Sequence, residues 1–169
     1  VATSANFDDK GSIPTEPLSR SLTVRDLLNF RSGIGSKDDS SDLGELWGKQ
    51  DIYAGKGSLE DRIDRILTAP LYEQPGTKWR YGWSADVLAR VVEVAADMPF
   101  DEFLRQRIFL PLGMKNTSFL PPPDERGGIA TMYTQDENQN LVRVEKPKSD
   151  ALTWTPGGSG LVSTAGDYL

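Results

Sequence analysis

From Ser84 to Asp97 the apolar residues Leu88, Val91, Val92 and Ala95 recur at helical spacing, and the run leading into them constrains the fold most. A Pro75-Gly76 turn opens that run, and a short aromatic segment from Trp79 to Trp83 follows. Ser84 then stands where an N-cap belongs. A lone tyrosine, Tyr81, therefore falls on a tight turn just ahead of the positive end of a helix dipole. The helix is expected to stop near Asp97-Met98-Pro99.

The same punctuation divides the rest of the chain. Residues 1–20 are polar and turn-rich, with Asp8-Asp9-Lys10-Gly11 as a turn, so an extended arm or weak hairpin is expected. Thr23 caps a helix through Phe30, with Asp26 in its first turn and Gly33 as its stop. From Ser36 to Gly57 a Gly-, Ser- and Asp-rich stretch carries apolar islands at Leu43, Leu46-Trp47 and Ile52-Tyr53, and reads as a long loop or a pair of helical turns. Ser58 caps the next helix, whose stripe is Leu59, Ile63, Ile66 and Leu67. Another helix after Pro99 presents Phe100, Phe103, Leu104 and Ile108. Residues 129–144 read as a β-hairpin turning over Asp136 to Asn140, and a Gly-rich approach leads to Leu161-Val162-Ser163-Thr164. The expected class is mainly α, or α+β with a minor β-hairpin. Its expected organisation is a single truncated domain over 1–169, with an arm (1–21), a helical part (22–120) and a hairpin with the Gly-rich segment (121–169).

Composition narrows the chemistry. Histidine and cysteine are both absent, which removes the Ser-His-Asp triad, thiol catalysis, disulfides and the usual zinc ligands together. Any catalysis must use carboxylates, Lys, Tyr, Ser or Thr. A net charge of −6 argues against nucleic acid as a partner, and no apolar run approaches the roughly 20 residues of a membrane helix. The chain opens on Val1 and closes on Leu169 just after an incipient helix, so both ends look cut and a piece of a longer protein is expected.

Several tempting patterns fail on inspection. Gly55-Lys56-Gly57-Ser58 has Gln50 where a phosphate loop needs its first glycine. Gly157-Gly158-Ser159-Gly160-Leu161 ends in Leu rather than the Gly of a nucleophile elbow, and has no His to serve it. Asp136 to Asn140 opens like a calcium loop, but Leu141 and Pro147 replace its Gly and Glu. Asn116-Thr117-Ser118 is a glycosylation sequon in form only. Charged clusters such as Asp38-Asp39 and Glu60-Asp61-Arg62 read as solvated faces.

Four segments, in order, resemble the serine β-lactamase-like superfamily of class C β-lactamases, D-alanyl carboxypeptidases and related serine esterases. They are Leu22 to Leu28 with Ser32-Gly33-Ile34, Pro75 to Tyr81 with the helix behind it, Ile108 to Met114 with Asn116-Thr117, and Gly157 to Thr164. The resemblance implies the helical region of the β-lactamase-like fold, lacking most of the central antiparallel sheet. It implies Tyr81 as the general base of an acyl-enzyme mechanism, with no metal or cofactor. No Ser in the chain is followed three residues later by Lys, so the nucleophile motif of that superfamily is absent from this sequence. A tyrosine becomes a base near neutrality only if its anion gains about 4 kcal/mol. A helix N-terminus supplies at most about 2 kcal/mol. The 169-residue chain is therefore expected to hydrolyse neither esters nor β-lactams by itself.

Two departures bear on substrate. Phe30 replaces the usual His of the first block, and Trp83 replaces the Asn two residues after the Tyr. An indole offers one donor and accepts nothing, so the resemblance implies ester hydrolysis rather than lactam binding. Trp83 and Trp79 would line an apolar acyl pocket, and Ser159 would border it. Packing explains the two indoles equally well, and a tight turn explains Ser159. The bland alternative for Tyr81 is a half-buried aromatic with its hydroxyl in solvent. A non-catalytic binding or scaffold member of the fold, a β-lactamase and a D-alanyl carboxypeptidase are the alternatives to an esterase. The expected partner is a small-molecule ester or lactam, and an apolar face left by truncation would invite self-association.

Overall fold

Local sequence chemistry sets the helix starts. In the computed structural model Thr23 is extended and forms a capping box with Asp26, opening α1 (Val24–Leu28). Ser41 caps α2 (Asp42–Lys49) through Gly44 N–H, and Ser58 with Asp61 forms a second capping box for α3 (Leu59–Ile66). The longest helix, α4 (Ser84–Ala96), ends on Asp97 in the left-handed region. Helix α5 (Phe100–Leu104) follows. The structure describes residues 1–36, 40–50, 52–53, 56–119, 121–122, 126–144 and 154–169. Asp38, Asp39, Gly55 and Pro147 of the motif readings lie outside the described residues.

Two compact units emerge, Val1–Phe103 with Thr153–Ser159, and Leu104–Leu152 with Gly160–Leu169. In the first, Leu27, Ile34, Leu43, Trp47, Ile52, Ile63 and Ile66 form a continuous core. The stretch expected to be a loop or helical turns thus supplies some of the deepest residues. Trp47 is fully buried, and its indole N–H donates to Pro70 O at 3.0 Å. The N-terminal arm closes as a weak hairpin, with an antiparallel bridge between Ala2 and Thr15 and a turn in which Gly11 N–H donates to Asp8 O.

The second unit holds a π-helical turn (Arg105–Phe109), α6 (Leu110–Leu112) ended by Gly113 in the left-handed region, and the expected hairpin. Strand β1 (Tyr133–Gln135) pairs antiparallel with β2 (Leu141–Arg143), Thr134 opposite Val142. Asp136 accepts from Asn138 N–H and Asn140 N–H, so it shapes the turn. Asp167 accepts from Asn116 N–H, the Asn116 amide and the Thr117 hydroxyl, and these bonds hold its carboxyl below the usual range. Asn116 is a structural residue of this unit.

Four sequence expectations need correction. Ser84 caps nothing: Trp83 is the N-cap of α4, and the buried Ser84 hydroxyl lies 2.7 Å from that of Ser32. Ser32 Oγ in turn accepts Ile34 N–H, so a buried partner outcompetes the helix end. The expected stripe of α4 is not its buried one. Ser84, Asp86, Val87 and Ala89 face inward, while Val91 is 36% exposed and, with Leu67 and Val94, lines an apolar groove of about 410 Å³ between α3 and α4. Helix α1 stops before Gly33, because Asn29 caps it and Phe30 adopts φ 54°. Arg62 is no solvated charge. It is 2% exposed, donates to Ile52 O at 2.7 Å and stacks its guanidinium 4.5 Å above Trp154.

Candidate active site

The Tyr81 turn is held by backbone bonds from both sides. Arg80 N–H donates to Phe30 O at 2.8 Å, and Trp83 N–H donates to Gly35 O at 3.2 Å. Between them Gly82 has no room for a side chain, since a Cβ there would overlap the Ile34 and Gly35 carbonyls. The Arg80 guanidinium is committed to Glu73 at 2.5 Å and lies 3.8 Å over the Tyr72 ring. These contacts fix the direction in which Tyr81 leaves the chain, directly ahead of α4.

Tyr81 is 64% exposed, more open than a half-buried aromatic. Its ring stacks on Phe30, with centroids 6.2 Å apart and planes 5° apart. Trp79, 65% exposed, meets the same Phe30 ring at 6.2 Å and 33°. The left-handed backbone at Phe30 thus presents a ring that supports both. A non-glycine residue in that region costs roughly 1–3 kcal/mol.

Trp83 belongs to a different cluster. Its half-buried ring meets Tyr53 edge to face at 5.7 Å and 71°. Tyr53 also packs against Trp154, with centroids 5.7 Å apart. The Tyr53 hydroxyl and the Ser159 hydroxyl share a 2.7 Å hydrogen bond. The structure therefore brings Trp83 and Ser159 to one ring, Tyr53, and brings Trp79 and Tyr81 to another, Phe30. The Trp83 indole nitrogen is buried and has no hydrogen-bond partner among the described residues. Leaving such a donor bare costs about 1–3 kcal/mol.

Asp86 ties the Gly-rich loop to the helix that follows Tyr81. Its carboxylate is 2% exposed and accepts Gly157 N–H at 3.0 Å and Gly158 N–H at 3.2 Å. Gly157 is required for this approach, because a Cβ would run into Ala85 O. Burial raises the Asp86 carboxyl above the usual range, and the two N–H groups only partly offset it. With its folded value raised, the group contributes stability that is full below about pH 3.9, its unfolded value, and is lost as pH rises through the raised value. Asp86→Asn is expected to remove that pH slope while keeping one acceptor. Asp86→Ala, which leaves two N–H groups without one, is expected to cost about 2–3 kcal/mol. Urea midpoints across pH 3 to 8 would distinguish the two variants; identical slopes in wild type and Asp86→Asn would refute the assignment.

Sequence reading missed Asp86, the packing roles of Tyr53 and Trp154, and the support that Phe30 gives. Only the Ile52-Tyr53 apolar island and the Phe30 departure hinted at them. Among the described residues no group of three or more Asp and Glu side chains is placed to hold a metal ion.

Residues 14–169 match the sequence model of the family described as Beta-lactamase. Lovastatin esterase of Penicillium rubens is 34% identical over 116 residues, 68% of this chain and 28% of that protein. Esterase EstB of Burkholderia gladioli is 28% identical over 174 residues, covering 92% of this chain and 44% of its own. A mutant of simvastatin synthase (LovD) from Aspergillus terreus superposes with a TM-score of 0.75 at 25% identity, over 96% of this chain and 38% of that one. The chain spans less than half the length of each. Its helices and two-stranded sheet align with part of that fold, as the sequence resemblance implies.

Proposed function

The chain belongs to the β-lactamase family, and on that footing we propose that it is the central part of a serine hydrolase that cleaves carboxylic esters through an acyl-enzyme, with Tyr81 as general base. The observation that carries this reading is the exposed Tyr81 ring on a turn pinned to residues 30–35, at the mouth of α4.

In this mechanism a Ser from outside the present sequence loses its proton to the Tyr81 phenolate as its oxygen attacks the ester carbonyl. Backbone N–H groups hold the oxyanion of the tetrahedral intermediate. The alkoxide leaves with the proton returned by Tyr81, and the acyl group remains on Ser. Water then repeats the cycle: Tyr81 takes its proton, the acid departs, and Ser regains a hydrogen. Lysine side chains, also from outside this sequence, favour the phenolate. Helix α4 contributes its positive end, and Phe30 keeps the Tyr81 ring in place.

Trp83 favours an ester over a lactam, because its single donor cannot reproduce the donor and acceptor of an amide side chain. Trp79 and Trp83 are read as apolar surface for the acyl or alkyl group, and Ser159 as a neighbour of that surface. The test uses the full-length protein with a short p-nitrophenyl ester and a chromogenic cephalosporin. Turnover of the ester well above that of the lactam is the expected result, with neither substrate turned over by the 169-residue chain alone. Preference for the lactam would overturn the ester assignment. Inertness toward both would point to a binding member of the fold.

A further inference from the structure

The aromatic cluster away from Tyr81 carries an assignment of its own. Tyr53 is half exposed, yet its ring is held on three sides: Trp83 edge-on, Trp154 tilted, and Ser159 through a 2.7 Å hydrogen bond across 106 residues of sequence. Trp154 is backed in turn by the Arg62 guanidinium at 4.5 Å. Ser159 belongs to the loop that Asp86 anchors to α4 through Gly157 and Gly158. The bond therefore spans from the segment after α2 to a fixed loop, and it lies against Trp83.

We infer that Tyr53 is a specificity-determining residue whose bridge to Ser159 sets the size of acyl group that can lie against Trp83. The inference rests on the proposed esterase reading, in which Trp83 borders the substrate. On this assignment a short acyl group is accepted beside Trp83 with the bridge in place. A longer one needs the space that the Tyr53 ring fills, and must break a hydrogen bond between two hydroxyls to obtain it. Both bridge hydroxyls are exposed, so breaking the bond returns each to water, and the restriction is graded.

The experiment compares p-nitrophenyl acetate with p-nitrophenyl octanoate in the full-length protein. Tyr53→Ala is expected to raise the octanoate-to-acetate ratio of kcat/KM at least tenfold. Tyr53→Phe keeps the ring and loses the bond, so a smaller rise is expected. Ser159→Ala should match it, and the double variant Tyr53→Phe/Ser159→Ala should add nothing further. Calorimetry with octanoate reads the same space without turnover, and Tyr53→Ala should bind it at least tenfold more tightly than wild type. A merely structural Tyr53 would change both esters alike and leave the ratio within twofold of wild type. That outcome, with Tyr81→Phe still abolishing hydrolysis, overturns the role of Tyr53 alone. Inertness of the wild-type full-length protein toward both esters overturns the esterase reading instead, and octanoate affinity then decides the Tyr53 assignment by itself.

Discussion

Tyr81→Phe in the full-length protein is expected to lower kcat/KM for a short p-nitrophenyl ester by about 10²- to 10⁴-fold, the usual contribution of a positioned general base. The loss should fall on kcat, because phenylalanine keeps the ring that stacks on Phe30 at 6.2 Å and removes only the hydroxyl. Folding should be little affected. The ring is 64% exposed, and the turn is held by backbone bonds at Arg80 and Trp83 that the substitution leaves alone. A steady-state comparison together with a urea midpoint separates chemistry from stability. An unchanged kcat would remove Tyr81 from the mechanism. A fall in stability as large as the fall in rate would return it to a packing role.

Gly82→Ala is expected to have the largest effect on stability in this region, about 3 kcal/mol or more. A Cβ at this position would sit 2.5 Å from Gly35 O and closer still to Ile34 O, and both are backbone atoms that no rotamer change can move. Relief requires parting the Tyr81 turn from residues 30–35, which breaks the Trp83 N–H bond to Gly35 O. Stability and turnover should therefore fall together, unlike the Tyr81 variant. A midpoint in urea within error of wild type would mean that the two segments do not lie this close in solution.

The sequence disclosed what is decided within a few residues. Thr23 and Ser58 were legible as caps because a cap and its partner are three residues apart. The hairpin was legible for the same reason, from alternation around a polar turn. Ser84 was misread because its partner Ser32 lies 52 residues away. Arg62, in a cluster that looks solvated, is drawn inward by Ile52 O and the Trp154 ring, and no local pattern announces either.

The site divided along the same line. Tyr81 on its turn and Trp83 at the helix start were readable from the Pro75–Val92 stretch. Tyr53 and Asp86 were not. Each acts through a residue more than 70 positions distant, and a buried aspartate at the third position of a helix looks like any favourable first-turn charge.

Those distances also set an order of assembly. Helices α1 to α4 form mainly from neighbours in sequence, but the Asp86 bonds to the Gly-rich loop close 71 residues and the Tyr53–Ser159 bond closes 106. Long closures pay their entropy before any contact compensates it, so they come late in folding. The exposed Tyr53–Ser159 bond is expected to open first under mild stress, since an exposed bond closing a long loop belongs to the least protected part of a fold. The Tyr53 cluster is thus expected to be among the last parts of this unit to become native. In dilute denaturant the acyl-length preference proposed for the full-length protein should blur while the helical circular dichroism is still intact.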